Sequence, residues 1–206
     1  MWGANVGTRH LTVVVSGGTH RVAQYGQWDG YPKGAGWTVL GFCTRWLSTP
    51  KLRESYARKL AKWVSFLNDE EVQRRCAQQG QAPNGGLYPE LCGTTGGLIL
   101  HRTRATREPL GLEDNYAFAT DGLDCEWAYV VDLDLVVLEV YKGRCRTALG
   151  PEDRFALREP GVDPLAINAV SAASGEFQPV KIVAAWSLDD LPRWDEFLLL
   201  EDVEHT

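Results

Sequence analysis

A chain of 206 residues is long enough to bury an apolar core within one domain. Its net charge of −6 argues against a nucleic-acid partner, because proteins that bind nucleic acids usually carry a basic surface. No apolar stretch approaches the roughly 18 residues of a membrane span, and the five cysteines form no C-x-x-C pair, so we expect a cytoplasmic protein without a membrane partner, disulfide framework, metal or cofactor.

The first two predicted elements form a β-hairpin. Residues 8–15 are rich in β-branched side chains, residues 19–25 form the return strand, and Gly17-Gly18 between them suits a tight turn. A two-residue turn places His10 opposite Tyr25, whereas a three-residue turn shifts the register by one residue. In either register, the polar residues at the start of the first strand lie beside the aromatic segment that follows the second.

Helices are predicted next. Apolar residues recur at helical spacing from about Gly36, and Thr49 followed by Pro50 is typical of a helix start. A capping box predicts a third helix over residues 69–79. We therefore expect one α+β domain over residues 1–206, with a helical insertion at about 36–80.

The second half of the sequence is predicted to be mainly extended. Strand patterns cover residues 116–120, 126–132, 135–141 and 180–186, and Ser187 is suited to cap a closing helix. Because hairpins flank a helical block, the order of elements favours an α+β fold in which helices cover a layered antiparallel sheet.

Polar residues at the open end of the hairpin are the main candidates for catalysis. A hydroxyl, a guanidinium, an imidazole and a carboxylate gathered at one strand end can bind and polarise a carbonyl group. The candidate catalytic residues are Thr8, Arg9, His10 and Asp29, and the neighbouring side chains expected to bind substrate are Tyr25, Gln27, Trp28 and Tyr31. The alternative is structural, with Arg9 and Asp29 forming an ion pair that fixes the loop.

Two further groups of candidates lie later in the chain. Glu126 beside the substrate-binding candidate Trp127 is a candidate general acid or base, since an apolar neighbour raises the pKa of a carboxyl group; an exposed strand glutamate is the alternative. If residues 101–107 are extended, Arg102 and Arg104 share one face and can bind a carboxylate or phosphate of the substrate. A charged strand edge explains these arginines equally well.

Three sequence words carry a resemblance to known proteins. They are GTRHL at residues 7–11, AQYGQWDGYP at residues 23–32 and CEWAYV at residues 125–130. Together they look like an uncharacterised family of small proteins found in phages, bacteria and fungi. That resemblance covers most of residues 7–186 and implies no particular activity.

The hairpin is also similar to the start of N-terminal-nucleophile hydrolases. This resemblance implies a four-layer αββα sandwich and a chain cleaved before Thr8, whose hydroxyl attacks an amide with its own amino group as the base. Asp29 matches the aspartate that the return strand often supplies near the nucleophile in such enzymes.

These observations favour an enzyme of amide or acyl chemistry, by hydrolysis or by acyl or aminoacyl transfer, on a small molecule bound at the hairpin end. One alternative is a non-catalytic protein that binds a small nucleotide-like ligand or a partner protein. Another is a biosynthetic enzyme that forms peptide bonds. The sequence leaves the oligomeric state open.

Overall fold

The computed structural model describes residues 7–79, 91, 95–146, 149–150, 153–156 and 178–202. It confirms the α+β class, because helices accompany a five-stranded sheet and a separate two-stranded sheet. Along the chain the elements are β1 (His10–Val15), β2 (His20–Gly26), α1 (Trp37–Trp46), α2 (Pro50–Trp63), β3 (Val64–Phe66), α3 (Asp69–Gln79), α4 (Ile99–Ala105), β4 (Leu110–Leu112), β5 (Trp127–Asp132), β6 (Val137–Lys142), β7 (Lys181–Ser187) and α5 (Trp194–Leu198).

The five-stranded sheet is mixed, with the strand order β2-β1-β5-β6-β7. Its neighbouring strands are antiparallel except β1 and β5, which run in parallel with His10 opposite Trp127. The expectation of a purely antiparallel sheet is therefore wrong at this pair of strands. β2 ends at the edge of the sheet where β1 starts, and the helical block returns the chain to the same edge, so β5 runs in the direction of β1. The four-layer sandwich of N-terminal-nucleophile hydrolases stays a prediction.

The N-terminal hairpin forms as predicted around Gly17-Gly18, but its register differs by one residue from that of a plain two-residue turn. His10 pairs with Gly26 and Leu11 with Tyr25, because the register shifts by a bulge between Val14 and Val15 next to the turn. The turn itself uses the left-handed conformation of its two glycines, with φ angles of 69° and 74°.

The three predicted helices of the insertion are α1, α2 and α3. The start of α2 follows the sequence signal, since the Thr49 side chain accepts a hydrogen bond from the Leu52 backbone N–H and Pro50 is the first helical residue. At the start of α3, Asn68 accepts a hydrogen bond from the Glu71 backbone N–H at 2.9 Å. Short-range capping therefore fixes where these helices begin.

Two predictions of local structure are wrong, and a condition set for residues 101–107 is not met. Tyr116–Thr120 is a 3-10 turn and not a strand, because the Asp114 carboxylate accepts the Tyr116 backbone N–H and turns the chain. Residues 101–105 belong to α4 and are not extended, since α4 continues directly from the Gly96–Leu98 turn. Ser187 accepts the Asp189 backbone N–H instead of capping the last helix, and α5 begins only at Trp194.

Two apolar clusters lie on opposite faces of the five-stranded sheet. The helix-side cluster contains Val14 and Tyr129 from the sheet together with Val39, Leu60 and Leu100 from α1, α2 and α4. The far-side cluster joins alternate strand residues to side chains of the 3-10 turn and to Phe155, and it contains Leu11, Val13, Val130 and Tyr141. Because successive strand residues point to opposite faces, neighbours in the sequence contribute to different clusters.

None of the helices in the ranges that the structure describes is long and apolar enough to cross a lipid bilayer.

Candidate functional site

A pocket opens where the N-terminal hairpin meets the start of α1 and the turn before α4. Its volume is about 250 Å³, and its lining comes from His10, residues 26–29 and 95–98, Thr38 of α1, and Gly34 and Ala35 of the Pro32–Gly36 turn that precedes α1. Small-molecule sites are typically concavities of this kind, with a few polar groups directed into them. The pocket is therefore the candidate functional site.

The imidazole of His10 borders this pocket from the first residue of β1. The residue is 2% exposed, and neither ring nitrogen makes a hydrogen bond of normal geometry with the described residues, although the Thr8 carbonyl lies near enough to favour the protonated ring. Buried polar groups in proteins are nearly always hydrogen-bonded, and an unpaired one costs roughly 1–3 kcal/mol. A ligand in the pocket can supply the missing partner, so His10 marks the site.

Two glycines from distant parts of the chain leave room for this ring. A Cβ atom at Gly26 would lie 2.2 Å from His10 Cε1, and a Cβ atom at Gly96 would lie 2.4 Å from His10 Nε2. Gly96 also has a φ of +44°, a conformation that side chains disfavour. Both positions therefore require glycine as long as the imidazole keeps its place.

Burial governs the protonation of His10. It lowers the pKa of the imidazole from 6.5 to about 4, while the Thr8 carbonyl and the charge of Asp29 act in the opposite direction. At neutral pH the ring is therefore uncharged, with one N–H donor and one nitrogen lone pair. Such a ring can both donate a hydrogen bond to a ligand and accept a proton from it.

The loop that carries Asp29 is held by hydrogen bonds at three points. The Asp29 carbonyl accepts the Ala35 backbone N–H at 2.7 Å, and its carboxylate accepts the Tyr31 hydroxyl at 2.8 Å. The buried Tyr129 hydroxyl donates to the Gly30 carbonyl at 2.8 Å. Asp29 itself has a φ of 53°, which aspartate tolerates better than most residues. The carboxylate is thus fixed at the pocket rather than carried on a free loop.

Aromatic and apolar side chains form the rim of the pocket. Trp28 is 49% exposed and Leu98 is 57% exposed, although both are large apolar residues. Gln27 accepts a hydrogen bond from the Tyr25 hydroxyl through its Oε1 atom, which orients the side-chain amide. The predicted substrate-binding residues Gln27 and Trp28 therefore lie at the pocket, as does Asp29.

The structure does not bring Arg9 to the same place as His10 and Asp29. Arg9 donates to the Asp124 carboxylate at 2.7 Å and influences Cys125, which belongs to the far-side cluster. Consecutive residues of an extended chain point to opposite sides, so Arg9 and His10 diverge. The expected convergence of Arg9 with Asp29 is wrong, and so is the alternative ion pair between them.

Other hairpin candidates have structural partners. Tyr25 packs edge-on against Phe118 with ring centroids 5.0 Å apart, and Tyr31 donates to Asp29. The Thr8 carbonyl accepts the Gly30 backbone N–H at 2.9 Å, which ties the start of the chain to the Asp29 loop. Among the residues described, none of these three lines the pocket.

The candidates from the second half also lie away from the described pocket lining. Glu126 faces Arg144 at 3.2 Å, and buried Trp127 carries the Lys142 ammonium over its ring. Both are explained by these contacts. The position of Glu126, outside the described pocket lining, therefore does not support the hypothesis that it acts as a general acid or base.

Arg102 and Arg104 do not share one face. They lie two residues apart in α4, which separates their side chains by about 200° around the helix axis. The Arg104 guanidinium stacks over Trp46, 3.3 Å from the ring centroid. The shared face is expected only for an extended segment, and the helical conformation of α4 rules it out.

Sequence reasoning missed the second wall of the pocket. Thr95 and Gly96 approach His10 from a segment far along the chain, and Thr38 comes from α1. The available signal was the glycine-rich run at residues 93–97, which lacks the lysine of a phosphate-binding loop. A glycine-rich run also marks close backbone approach, and Gly96 of this run lies against an imidazole instead of a phosphate.

The described residues contain no group of three His, Cys, Asp or Glu side chains that could hold a metal ion. Comparison with protein-family models, curated proteins and solved structures finds no match for this chain.

Proposed function

We propose that the protein is an enzyme of amide or acyl chemistry that acts on a small molecule in the His10 pocket. The observation that supports this proposal is the buried, uncharged imidazole, which makes no hydrogen bond of normal geometry with the described residues and faces an open cavity. Structural histidines are normally satisfied by neighbours. A histidine left unpaired beside a cavity is suited to a partner that comes and goes.

In the proposed hydrolytic reaction, His10 acts as the general base. It takes a proton from a water molecule while the water oxygen bonds to the carbonyl carbon of the substrate. The imidazolium then returns the proton to the leaving nitrogen or oxygen as its bond to carbon breaks. Asp29 stabilises the transient imidazolium, because its charge already favours the protonated ring in the free protein. Acyl transfer, including peptide-bond formation, replaces water with another nucleophile.

The charge of the pocket restricts its ligands. Among the described lining residues, Asp29 is the one with a formal charge at neutral pH. Neutral amides and esters, or those with an ammonium group, fit this arrangement better than carboxylates and phosphates, because a negative group would approach a fixed carboxylate. The exposed face of Trp28 adds a surface on which a cationic or flat group can lie.

A second candidate function is binding without catalysis. The lowered pKa of His10, about 4, supports it because such an imidazole is a weak base at neutral pH. It would serve instead as a fixed donor and acceptor for a ligand that the protein sequesters.

Substitution of His10 distinguishes these functions. Small amides and esters are first screened by thermal shift, and the binders are then tested for turnover. His10→Asn keeps a hydrogen-bonding amide but cannot transfer a proton, so an enzyme should lose about 100-fold or more in turnover. His101→Asn, at an exposed histidine outside the described pocket lining, is the matched control and should leave turnover unchanged.

Three outcomes bear on the proposal. Bound ligands that are never turned over support the non-catalytic alternative and contradict the enzyme. Turnover that survives His10→Asn contradicts the role of His10. Intact mass of the purified protein tests the separate hypothesis of Thr8 as an N-terminal nucleophile, which requires a chain that begins at Thr8.

A further inference from the structure

Positive charge is concentrated on three helices of this acidic protein. Lysines and arginines number one in α1, five in α2 and two in α4, against a single acidic residue, Glu54. The net charge of the whole chain is nevertheless −6. The acidic residues therefore lie elsewhere, and the average charge conceals a basic region.

The exposed side of α2 carries most of this charge. Lys51, Arg58 and Lys62 are all exposed, and Arg58 and Lys62 follow Lys51 by seven and eleven residues along the helix, which places the three on one face. Lys59 lies beside this face. The helix has 14 residues, so these cations form a rigid stripe along a rod about 21 Å long.

The stripe continues across α4 to the end of α1. The Lys59 ammonium donates to the Arg104 carbonyl at 2.5 Å. Arg104 stacks on the Trp46 ring, and the Arg45 guanidinium lies 5.0 Å from the centroid of the same ring. We call this continuous surface, formed by Arg45, Lys51, Arg58, Lys59, Lys62 and Arg104, the basic face.

Arg53 of α2 is buried and pairs with Asp189 at 2.8 Å, so it is not part of the basic face. Within the described residues, the protein neutralises little of the charge on that face. Arg58 has one acidic partner, Glu54, at 3.9 Å. Arg45, Lys51 and Lys62 have no carboxylate within ion-pair distance in the described part of the chain. The pKa of His101 is lowered first by burial and then by the nearby charges of Arg104 and Arg45. Neighbouring like charges destabilise the fold, and a polyanion would relieve that repulsion.

We propose that the basic face binds single-stranded nucleic acid through its phosphate backbone. A row of cations interleaved with indole rings is the combination that such strands contact, because phosphates pair with the cations and bases stack on aromatic or guanidinium planes. The Trp63 ring beside the Lys62 ammonium and the Arg104 guanidinium stacked on Trp46 supply such planes. This inference does not depend on the pocket, and it revises the expectation drawn from net charge.

Charge reversal tests the proposal with a matched pair of variants. Arg58→Glu alters the basic face, whereas Arg193→Glu makes the same charge change at an exposed arginine near α5. Each arginine has one weak acidic neighbour among the described residues, Glu54 at 3.9 Å and Asp195 at 3.3 Å. Fluorescence anisotropy of labelled oligouridylate then measures binding over a range of salt concentrations, with circular dichroism as the folding check.

The wild-type protein should bind at low salt, with an affinity that falls as salt rises. Arg58→Glu should weaken binding and reduce the slope of log K against log salt by roughly 0.7 for each phosphate that the variant no longer neutralises, while Arg193→Glu should behave as the wild type. Lys62→Gln, which adds no negative charge, should weaken binding in the same direction.

Absence of binding at low salt, or equal effects of Arg58→Glu and Arg193→Glu, would overturn the proposal. Tighter binding of labelled polyglutamate than of oligouridylate would overturn it in favour of an acidic protein partner. His10→Asn should bind the oligonucleotide as the wild type does, so failure of the pocket proposal is seen separately.

Discussion

The fit of the His10 ring between two glycines is open to a quantitative test. In Gly26→Ala the new methyl group would stand 2.2 Å from His10 Cε1 and 2.9 Å from the Gly96 backbone, so the imidazole must move. Overpacking of this kind costs about 1–3 kcal/mol. Gly96→Ala adds a clash at 2.4 Å to a φ of +44°, which itself costs roughly 1–2 kcal/mol. We therefore expect Gly96→Ala to lower the free energy of unfolding by about 2–5 kcal/mol.

Two other glycines separate the causes. At Gly18 the φ is +74° and a Cβ meets nothing within 4 Å, so Gly18→Ala measures backbone strain alone. At Gly41, inside α1 and exposed, there is neither positive φ nor contact, and alanine should stabilise the protein by up to about 1 kcal/mol. Urea denaturation of the four variants gives each free energy of unfolding.

The same fit predicts an effect on function. Gly26→Ala and Gly96→Ala should weaken any ligand that binds the pocket, because the displaced imidazole fills it, whereas Gly18→Ala and Gly41→Ala should not. If Gly26→Ala unfolds with the same free energy as the wild type and binds ligand equally well, the ring does not occupy the place described.

Three further predictions concern the site and its supports. The pKa of His10 is about 4 in the folded state and 6.5 in the unfolded state, so the unfolded chain takes up a proton first as pH falls. Between pH 7 and pH 4 the free energy of unfolding of the wild type should therefore fall by up to about 3 kcal/mol more than that of His10→Asn. Equal losses for the two proteins in urea denaturation would contradict this. Tyr129→Phe leaves the Gly30 carbonyl without its donor, so it should cost about 1–3 kcal/mol and weaken ligand binding; calorimetry that finds both unchanged would show that this bond does not hold the loop. Thr49→Ala removes the cap of α2 and should cost about 1 kcal/mol in thermal unfolding without affecting the ligand.

Local signals in the sequence predict the hairpin and the insertion helices well. The glycine turn and the Thr49-Pro50 start act over a few residues, so a single sequence contains them. Tyr116–Thr120 is mistaken for a strand because of its aromatic and threonine content, while the deciding interaction comes from the Asp114 side chain. At this position the hydrogen bond from the Tyr116 backbone to the Asp114 side chain outweighs the strand propensity of the residues that follow.

The site is predictable in part. His10, Gln27, Trp28 and Asp29 follow from their position at the end of the hairpin. The placement of Arg9 fails because alternation along an extended chain sends it to the other face of the sheet. The glycine-rich run at residues 93–97 signals close backbone approach, but it does not identify His10 as the partner of Gly96, because that contact depends on how the helical block packs.

The central claim is that a ligand uses the unpaired imidazole of His10. It is tested most directly by 15N NMR of histidine-labelled protein, titrated with a small amide or ester that thermal-shift screening selects. The ring nitrogens of His10 should shift as the ligand binds, while those of exposed His101 stay unchanged. Saturation of the ligand with the His10 resonances unmoved would contradict the claim.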